Sequence, residues 1–139
     1  MRISREADYA IRCLLFMAAT PRVARTVAQA APSQGIPPSF LAKILQKLAR
    51  AGILSSARGA RGGYRFRKDP RDVTVLSVIE AIEGPVAVND CLVEGATCSR
   101  AARCAAHLLW RELQGDIADR LGRRSIGDLH AHETRTRRG

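Results

Sequence analysis

PPSFLAKILQKLARAGILSSARGARGGYRF, residues 37–66, sets a two-sided helix directly before a glycine-rich turn between two short alternating segments. Pro38 suits the first turn of a helix, where its missing N–H costs nothing. Over residues 39–52, Leu41, Ile44, Leu45 and Leu48 follow the i, i+3, i+4, i+7 rule and predict a buried stripe. Ser39, Lys43, Gln46 and Arg50 repeat at the same spacing on the opposite face, which is polar to basic. Gly52 closes the helix. ILSSA and YRFRK then predict two short strands, and glycines 59, 62 and 63 between them suit a β-hairpin tip. Arg58, Arg61, Arg65, Arg67 and Lys68 decorate that hairpin.

Upstream, residues 4–19 predict a helix with Ser4 as N-cap and Ala7, Ala10, Ile11, Leu14, Met17 and Ala18 at helical spacing. Thr26 caps a short helix, VAQAA, that Pro32 cuts off or kinks, and Gly35 can take the positive φ of the turn that follows. Helix, short helix, tight turn, basic-faced helix and basic hairpin together describe a winged helix-turn-helix. A helix fits the major groove of duplex DNA and reads base edges with its outward face. Ser39, Lys43 and Gln46 are placed for base edges, and Lys47 and Arg50 for phosphates. Arg58 and Arg61 on the wing would meet the backbone or minor groove. Any single helix has a solvated face and any hairpin can be basic; it is their order that points to DNA.

Charge supports the same partner. The net charge of +10 lies entirely in residues 1–70, with 13 Lys/Arg against Glu6, Asp8 and Asp69, while residues 71–139 carry 10 of each sign. Such a concentrated field favours a polyanion, here a double-stranded DNA operator. The 139 residues suit one domain with an appended helix, and aromatics at 4% leave the core to aliphatic side chains. No run reaches the ~20 apolar residues of a membrane span. Arg5, Glu6 and Asp8 interrupt what a signal peptide would need apolar, so a cytoplasmic protein without membrane contact is expected. No nucleophile–base pairing or paired carboxylates stand out, so the chain is not expected to be an enzyme.

Thr74 begins a further helix, TVLSVIEAIEG, ending at Gly84. Residues 85–98 have no usable period. A long amphipathic helix is predicted over 99–121, with Leu109, Leu113, Ile117 and Leu121 every four residues and Trp110 beside them. A leucine stripe on a terminal helix of a helix-turn-helix protein suits a homodimer, whose two-fold axis matches paired half-sites. The expected fold is therefore mainly α with a small β-hairpin wing: a winged helix-turn-helix plus a long C-terminal dimerisation helix. Its divisions are the DNA-binding domain at 1–84, a cysteine-bearing loop at 85–98, the dimerisation helix and a short final helix at 99–129, and a flexible tail at 130–139.

CLVEGATCSRAARCAAH, residues 91–107, places Cys91, Cys98 and Cys104 with gaps of six and five residues, and His107 three residues further on. In a reducing cytosol such a cluster binds metal or reacts rather than forming structural disulfides. Thiolates select zinc, copper(I) or iron–sulfur clusters. The gaps are long for the paired Cys-x2-4-Cys of structural zinc and suit a larger [2Fe–2S] or [4Fe–4S] unit. Zinc, a thiol redox switch and incidental cysteines stay open on spacing alone. Cys13 stands apart in a helical pattern and reads as a small core residue. A small iron–sulfur electron carrier would not need the basic reading helix, and a general RNA-binding protein would leave the cysteines unexplained.

MRISREADYAIRCLLFMA, the 37–66 stretch and the cysteine segment followed by HLLWRELQGDIADRL resemble the Rrf-two family of bacterial regulators, which includes the IscR, NsrR and RirA types. The resemblance runs from Met1 to about Leu129. It implies a homodimeric winged-helix transcription factor whose operator affinity depends on an iron–sulfur cluster sensing iron, redox or nitric oxide status. It also implies that Cys91, Cys98 and Cys104 are the cluster thiolates. His107 matches the fourth ligand of the IscR type; Asp8, with Arg12, matches an aspartate that the partner subunit supplies in some NsrR-like members. As plain residues, Asp8 would merely favour a helix N-terminus and His107 would sit on a helix face. The six-residue gap from Cys91 to Cys98 departs from the five of the IscR and NsrR types and the seven of the RirA type, so subtype and cluster type stay open. A zinc-bound or thiol-switched winged-helix repressor is the alternative.

Overall fold

The computed structural model describes residues 1–58 and 62–139. Helices α1 (Arg5–Ala18), α2 (Val27–Gln34) and α3 (Pro38–Arg50) precede an antiparallel hairpin of β1 (Leu54–Ala57) and β2 (Gly63–Phe66). Helices α4 (Val75–Glu83), α5 (Ala105–Gly122) and α6 (Ile126–Arg138) follow. The winged helix-turn-helix expected from the sequence is present.

Side-chain caps set the helix starts. Ser4 Oγ accepts the Ala7 N–H of α1, and Thr74 Oγ1 accepts that of Ser77 in α4. At α2, Thr26 and Gln29 form a reciprocal capping box. Gly35 ends α2 in the left-handed conformation (φ 62°) and turns the chain into α3. Pro32 does not stop α2, which continues to Gln34; the helix forfeits the bond its nitrogen would have donated.

The core is aliphatic. Ala7, Ala10, Cys13, Leu14 and Met17 of α1 meet Leu41, Ile44, Leu45 and Leu48 of α3, with Val78 and Ile82 of α4 and with Ile53, Leu54 and Phe66 around the hairpin. Ile11 lies at the edge of this core rather than inside it. The wing gains a third strand position where Arg25 and Tyr64 exchange two backbone hydrogen bonds of 2.8 Å each.

Two C-terminal boundaries differ from the sequence expectation. The long helix starts at Ala105, not Ser99; residues 99–104 instead form a turn and a 3-10 segment (Ala101–Arg103), and Cys104 caps α5. Second, α6 runs to Arg138, through the segment 130–139 that composition reads as a flexible tail. Its capping box of Ser125 and Asp128 and the basic residues in its last turn suit a helix to the end. Backbone bonds from Val75 to Arg124 and from Ile126 to Val73 pin the start of α6 beside the start of α4. By contrast, α5 buries none of its residues within the chain. Leu108, Leu109 and Leu113 are exposed, and Ile117 and Leu121 are half-buried.

Candidate functional site

The first site is the outer face of α3. With Leu41, Ile44, Leu45 and Leu48 turned into the core, the 3.6-residue period leaves Ser39, Lys43, Gln46 and Arg50 exposed on the other side. Tyr9 of α1 meets the Phe40 ring edge-to-face at 5.9 Å, which buttresses the start of α3. Arg12 donates to the carbonyl of Gln34, and so fastens the end of α2 to α1. Lys47 differs from its neighbours: its Nζ lies 2.6 Å from Glu6 Oε1 of α1, with both side chains largely covered. Sequence spacing places Lys47 among the phosphate contacts, and spacing carries no sign of a partner 41 residues away.

On the wing, Arg58, Arg65, Arg67 and Lys68 are exposed. Arg61 lies outside the described residues. Gly63 fixes where the wing sits: at φ 142°, an added Cβ would stand 2.5 Å from the Arg25 carbonyl oxygen. Only glycine lets the two backbones approach this closely. Arg25 strengthens the junction, stacking 5.7 Å from the Phe16 ring centroid and donating to Thr20 Oγ1 at 2.8 Å.

The second site lies where the segment after α4 meets the start of α5. A 3-10 turn, Asp90–Leu92, carries Cys91, and the Val88 N–H donates to Gln114 Oε1 to hold this segment against α5. Cys91 Sγ accepts from Asn89 Nδ2 at 3.3 Å and lies 3.4 Å from His107 Nδ1. Cys104 Sγ accepts the His107 N–H at 3.4 Å, the role a serine oxygen plays in an ordinary N-cap. Two of the three cysteines expected as ligands thus meet His107, Cys91 at its ring and Cys104 at its backbone N–H. Cys98 stands exposed on the loop between them. Among the described residues, no three His, Cys, Asp or Glu side chains are grouped as a metal ion would need. Asp8 is exposed on α1, 4.0 Å from Arg12 of the next turn, and is not part of this group within one protomer. Cys13 is unlike the other thiols: burial pushes its pKa up to about 12.

A basic-faced helix held in a helix-turn-helix, a hairpin wing docked on it and a separate thiol-bearing segment define a winged-helix transcriptional regulator. The chain belongs to the Rrf-two family, whose model, described as an iron-dependent transcriptional regulator, matches residues 3–132. It is 32% identical over 130 residues to the HTH-type transcriptional regulator IscR of Vibrio campbellii, covering 93% of this chain and 77% of that one. The IscR of Vibrio cholerae is 33% identical, with 93% and 75% covered. Among solved structures, CymR, the global cysteine regulator of B. subtilis, superposes with a TM-score of 0.77 at 22% identity, covering 95% of this chain and 98% of that one. T. potens IscR superposes with a TM-score of 0.76 at 21% identity, covering 96% and 88%. These structures share the fold. The relatives are regulators, not enzymes, and no helix among the described residues is long and apolar enough to cross a membrane.

Proposed function

We propose that the protein is a homodimeric transcriptional regulator whose affinity for an operator is set by an iron–sulfur cluster. Cys91, Cys98 and Cys104 supply the thiolates, and His107 is the fourth ligand. Asp8 of the partner subunit is the competing fourth ligand. The observation that carries this reading is the 3.4 Å approach of His107 Nδ1 to Cys91 Sγ, with Cys104 capping the same helix turn. The donor chemistry fits: three thiols outside any disulfide and an imidazole nitrogen facing one of them. A cluster held by Cys91, Cys98, Cys104 and His107 would supply iron–thiolate bonds whose stability would depend on iron supply, redox state and nitric oxide.

The residues themselves do the rest. Cys91 and His107 tie the segment after α4 to α5, and Cys104 sets where α5 begins. Recruiting Cys98 orders the exposed loop between them. Ser39, Lys43 and Gln46 meet base edges, with Arg50, Arg58 and Arg61 on phosphates or the minor groove. The exposed Leu109 and Leu113 of α5 pack against a second copy, which spaces two reading helices for paired half-sites. A differential affinity of ~1–3 kcal/mol between ligation states gives about 5–150-fold control.

Anaerobic purification followed by an absorption spectrum, iron and sulfide counts and operator titration tests the proposal. Visible absorption with matched iron and sulfide is expected, together with its loss and the loss of cluster-dependent DNA binding in Cys98→Ala. A Cys98→Ala protein that kept both would overturn it. Zinc without sulfide, or metal-free protein whose DNA binding follows thiol oxidation, would instead establish the zinc-bound or thiol-switched repressor.

A further inference from the structure

The first turn of α1 joins the two sites. Ser4 caps α1 with its hydroxyl on the Ala7 N–H, but the residue at that third position is alanine. It offers no carboxylate to accept the Ser4 N–H in return, as a local capping box would. Glu83 does so from 79 residues away: its Oε1 accepts the Ser4 N–H at 2.7 Å. Glu83 is the last residue of α4, and Gly84 (φ 84°) immediately turns the chain into the segment that carries Cys91. That segment also lies against the N-terminus, since Leu92 and Val93, next to Cys91, share the walls of a cavity of about 330 Å³ with Met1, Arg2 and Glu83. Two residues after Ser4, in the same turn, Glu6 holds Lys47 of the reading helix at 2.6 Å. The path therefore runs from Cys91 through Glu83, the Ser4 cap and Glu6 to Lys47.

We propose that Glu83, Glu6 and Lys47 are positioning residues that couple the cysteine-bearing segment to the reading helix through the capped first turn of α1. The inference rests on the cluster reading above. Lys47 is then not a phosphate contact but the α3 end of this link. The pair is suited to the role because both side chains are mostly covered, at 38% and 28% exposed, so it is screened less than a surface pair. A displacement of Glu83 on ligation changes the entry of α1, and Glu6 passes that change to the last turn of α3.

The test is the ratio of operator affinities between cluster-loaded and cluster-free full-length protein. It is measured anaerobically by fluorescence anisotropy at several salt concentrations, with the visible spectrum and thermal midpoint of each variant recorded. Lys47→Met and Glu83→Ala are expected to cut the ratio at least threefold toward unity, with the spectrum and the salt slope unchanged. The charge-reversed pair Glu6→Lys/Lys47→Glu is expected to restore the ratio that Lys47→Glu alone abolishes, which a structural loss at either position would not do. If Lys47 binds a phosphate, Lys47→Met weakens both states equally and lowers the salt slope by about one, and the reversed pair stays weak; either result overturns the coupling. An unchanged ratio in Glu83→Ala removes the α4 end and overturns it as well. If the wild-type protein holds no cluster, the cluster reading fails, and the same ratio between reduced and oxidised thiols tests the coupling independently.

Discussion

Replacing Gly63 with alanine is expected to unseat the wing. The added Cβ would stand 2.5 Å from the Arg25 oxygen, 2.6 Å from its carbonyl carbon and 3.0 Å from Thr26 N, all of them backbone atoms that no rotamer change can move. The residue must also leave or strain a φ of 142°, at about 1–3 kcal/mol. Relief by separation costs the two Arg25–Tyr64 hydrogen bonds, each contributing about 1 kcal/mol net. The expected loss is therefore about 3–5 kcal/mol. For a chain of this size roughly 3 °C of melting temperature goes with each kcal/mol, so the midpoint falls by about 9–15 °C. Calorimetry measures this, and operator titration measures the accompanying loss of affinity as Arg58 leaves its position. Gly35→Asn is the control: that turn has φ 62° and nothing within 4 Å of an added Cβ, and asparagine tolerates the left-handed region, so about 1 kcal/mol or less is lost. A Gly63→Ala protein melting within about 2 °C of wild type would refute the claim that backbone contact with Arg25 locks the wing.

Three further outcomes follow from the site and the core. In the metal-free, reduced protein at pH 8, iodoacetamide should modify Cys91, Cys98 and Cys104 while Cys13, whose pKa burial raises to about 12, reacts only after unfolding; mass spectrometry showing Cys13 labelled alongside the others would contradict its placement. Leu113→Asp on α5 should leave circular dichroism unchanged, because the side chain is 40% exposed in one chain, yet convert dimer to monomer in sedimentation; a dimer that persists removes α5 from the interface. Hydrogen bonds from the Ser125 backbone, then from its side chain, hold the Asp128 carboxyl below its ordinary value near 3.8. A lowered folded-state pKa gives a contribution that is present above the unfolded value and lost as pH falls through the folded one. Asp128→Asn should therefore melt below wild type at pH 7 and converge with it as pH falls through the lowered folded-state value, and a gap that is constant with pH would deny the carboxylate its capping role.

What the sequence revealed and what it hid divide along physical lines. Ser4, Thr26 and Thr74 are legible caps because a hydroxyl before an apolar period satisfies an otherwise orphaned N–H, and each makes that bond in the fold. The stripe of α3 is legible because burial selects side chains at a fixed period. The start of α5 was hidden, since Ala101, Ala102, Ala105 and Ala106 favour helix throughout and propensity gives no weight to a thiol as N-cap. The extent of α6 was hidden because its last turns have no apolar period; the i,i+4 pair of Glu133 with Arg137 supports them instead. Glu6–Lys47 and Glu83–Ser4 were hidden for a third reason. Contacts between elements depend on how the helices cross, which no local pattern records.

The sequence also treats α5 as two features, a leucine stripe and a neighbouring cysteine cluster, whereas the fold makes them one object. Cys104 is the cap, His107 lies in the first turn and Leu108 follows it directly, exposed at 57%. A helix rises only about 1.5 Å per residue and is stiff over a few turns. A shift in its first turn is thus carried to Leu109 and Leu113 with little loss. If a second copy covers those leucines, as their exposure favours, thiol ligation cannot change without bearing on the dimer contact. Two routes then lead from one ligation event to the DNA: through α5 to the spacing of the paired subunits, and through Glu83 and α1 to the orientation of α3 within each. They are separable by experiment. Leu113→Asp cuts the first while leaving Glu6–Lys47 intact, and the charge-reversed pair preserves the second. A monomeric Leu113→Asp protein that still showed a ligation-dependent affinity for a single half-site would demonstrate the intramolecular route. One whose half-site affinity ignored ligation would place all control in the dimer.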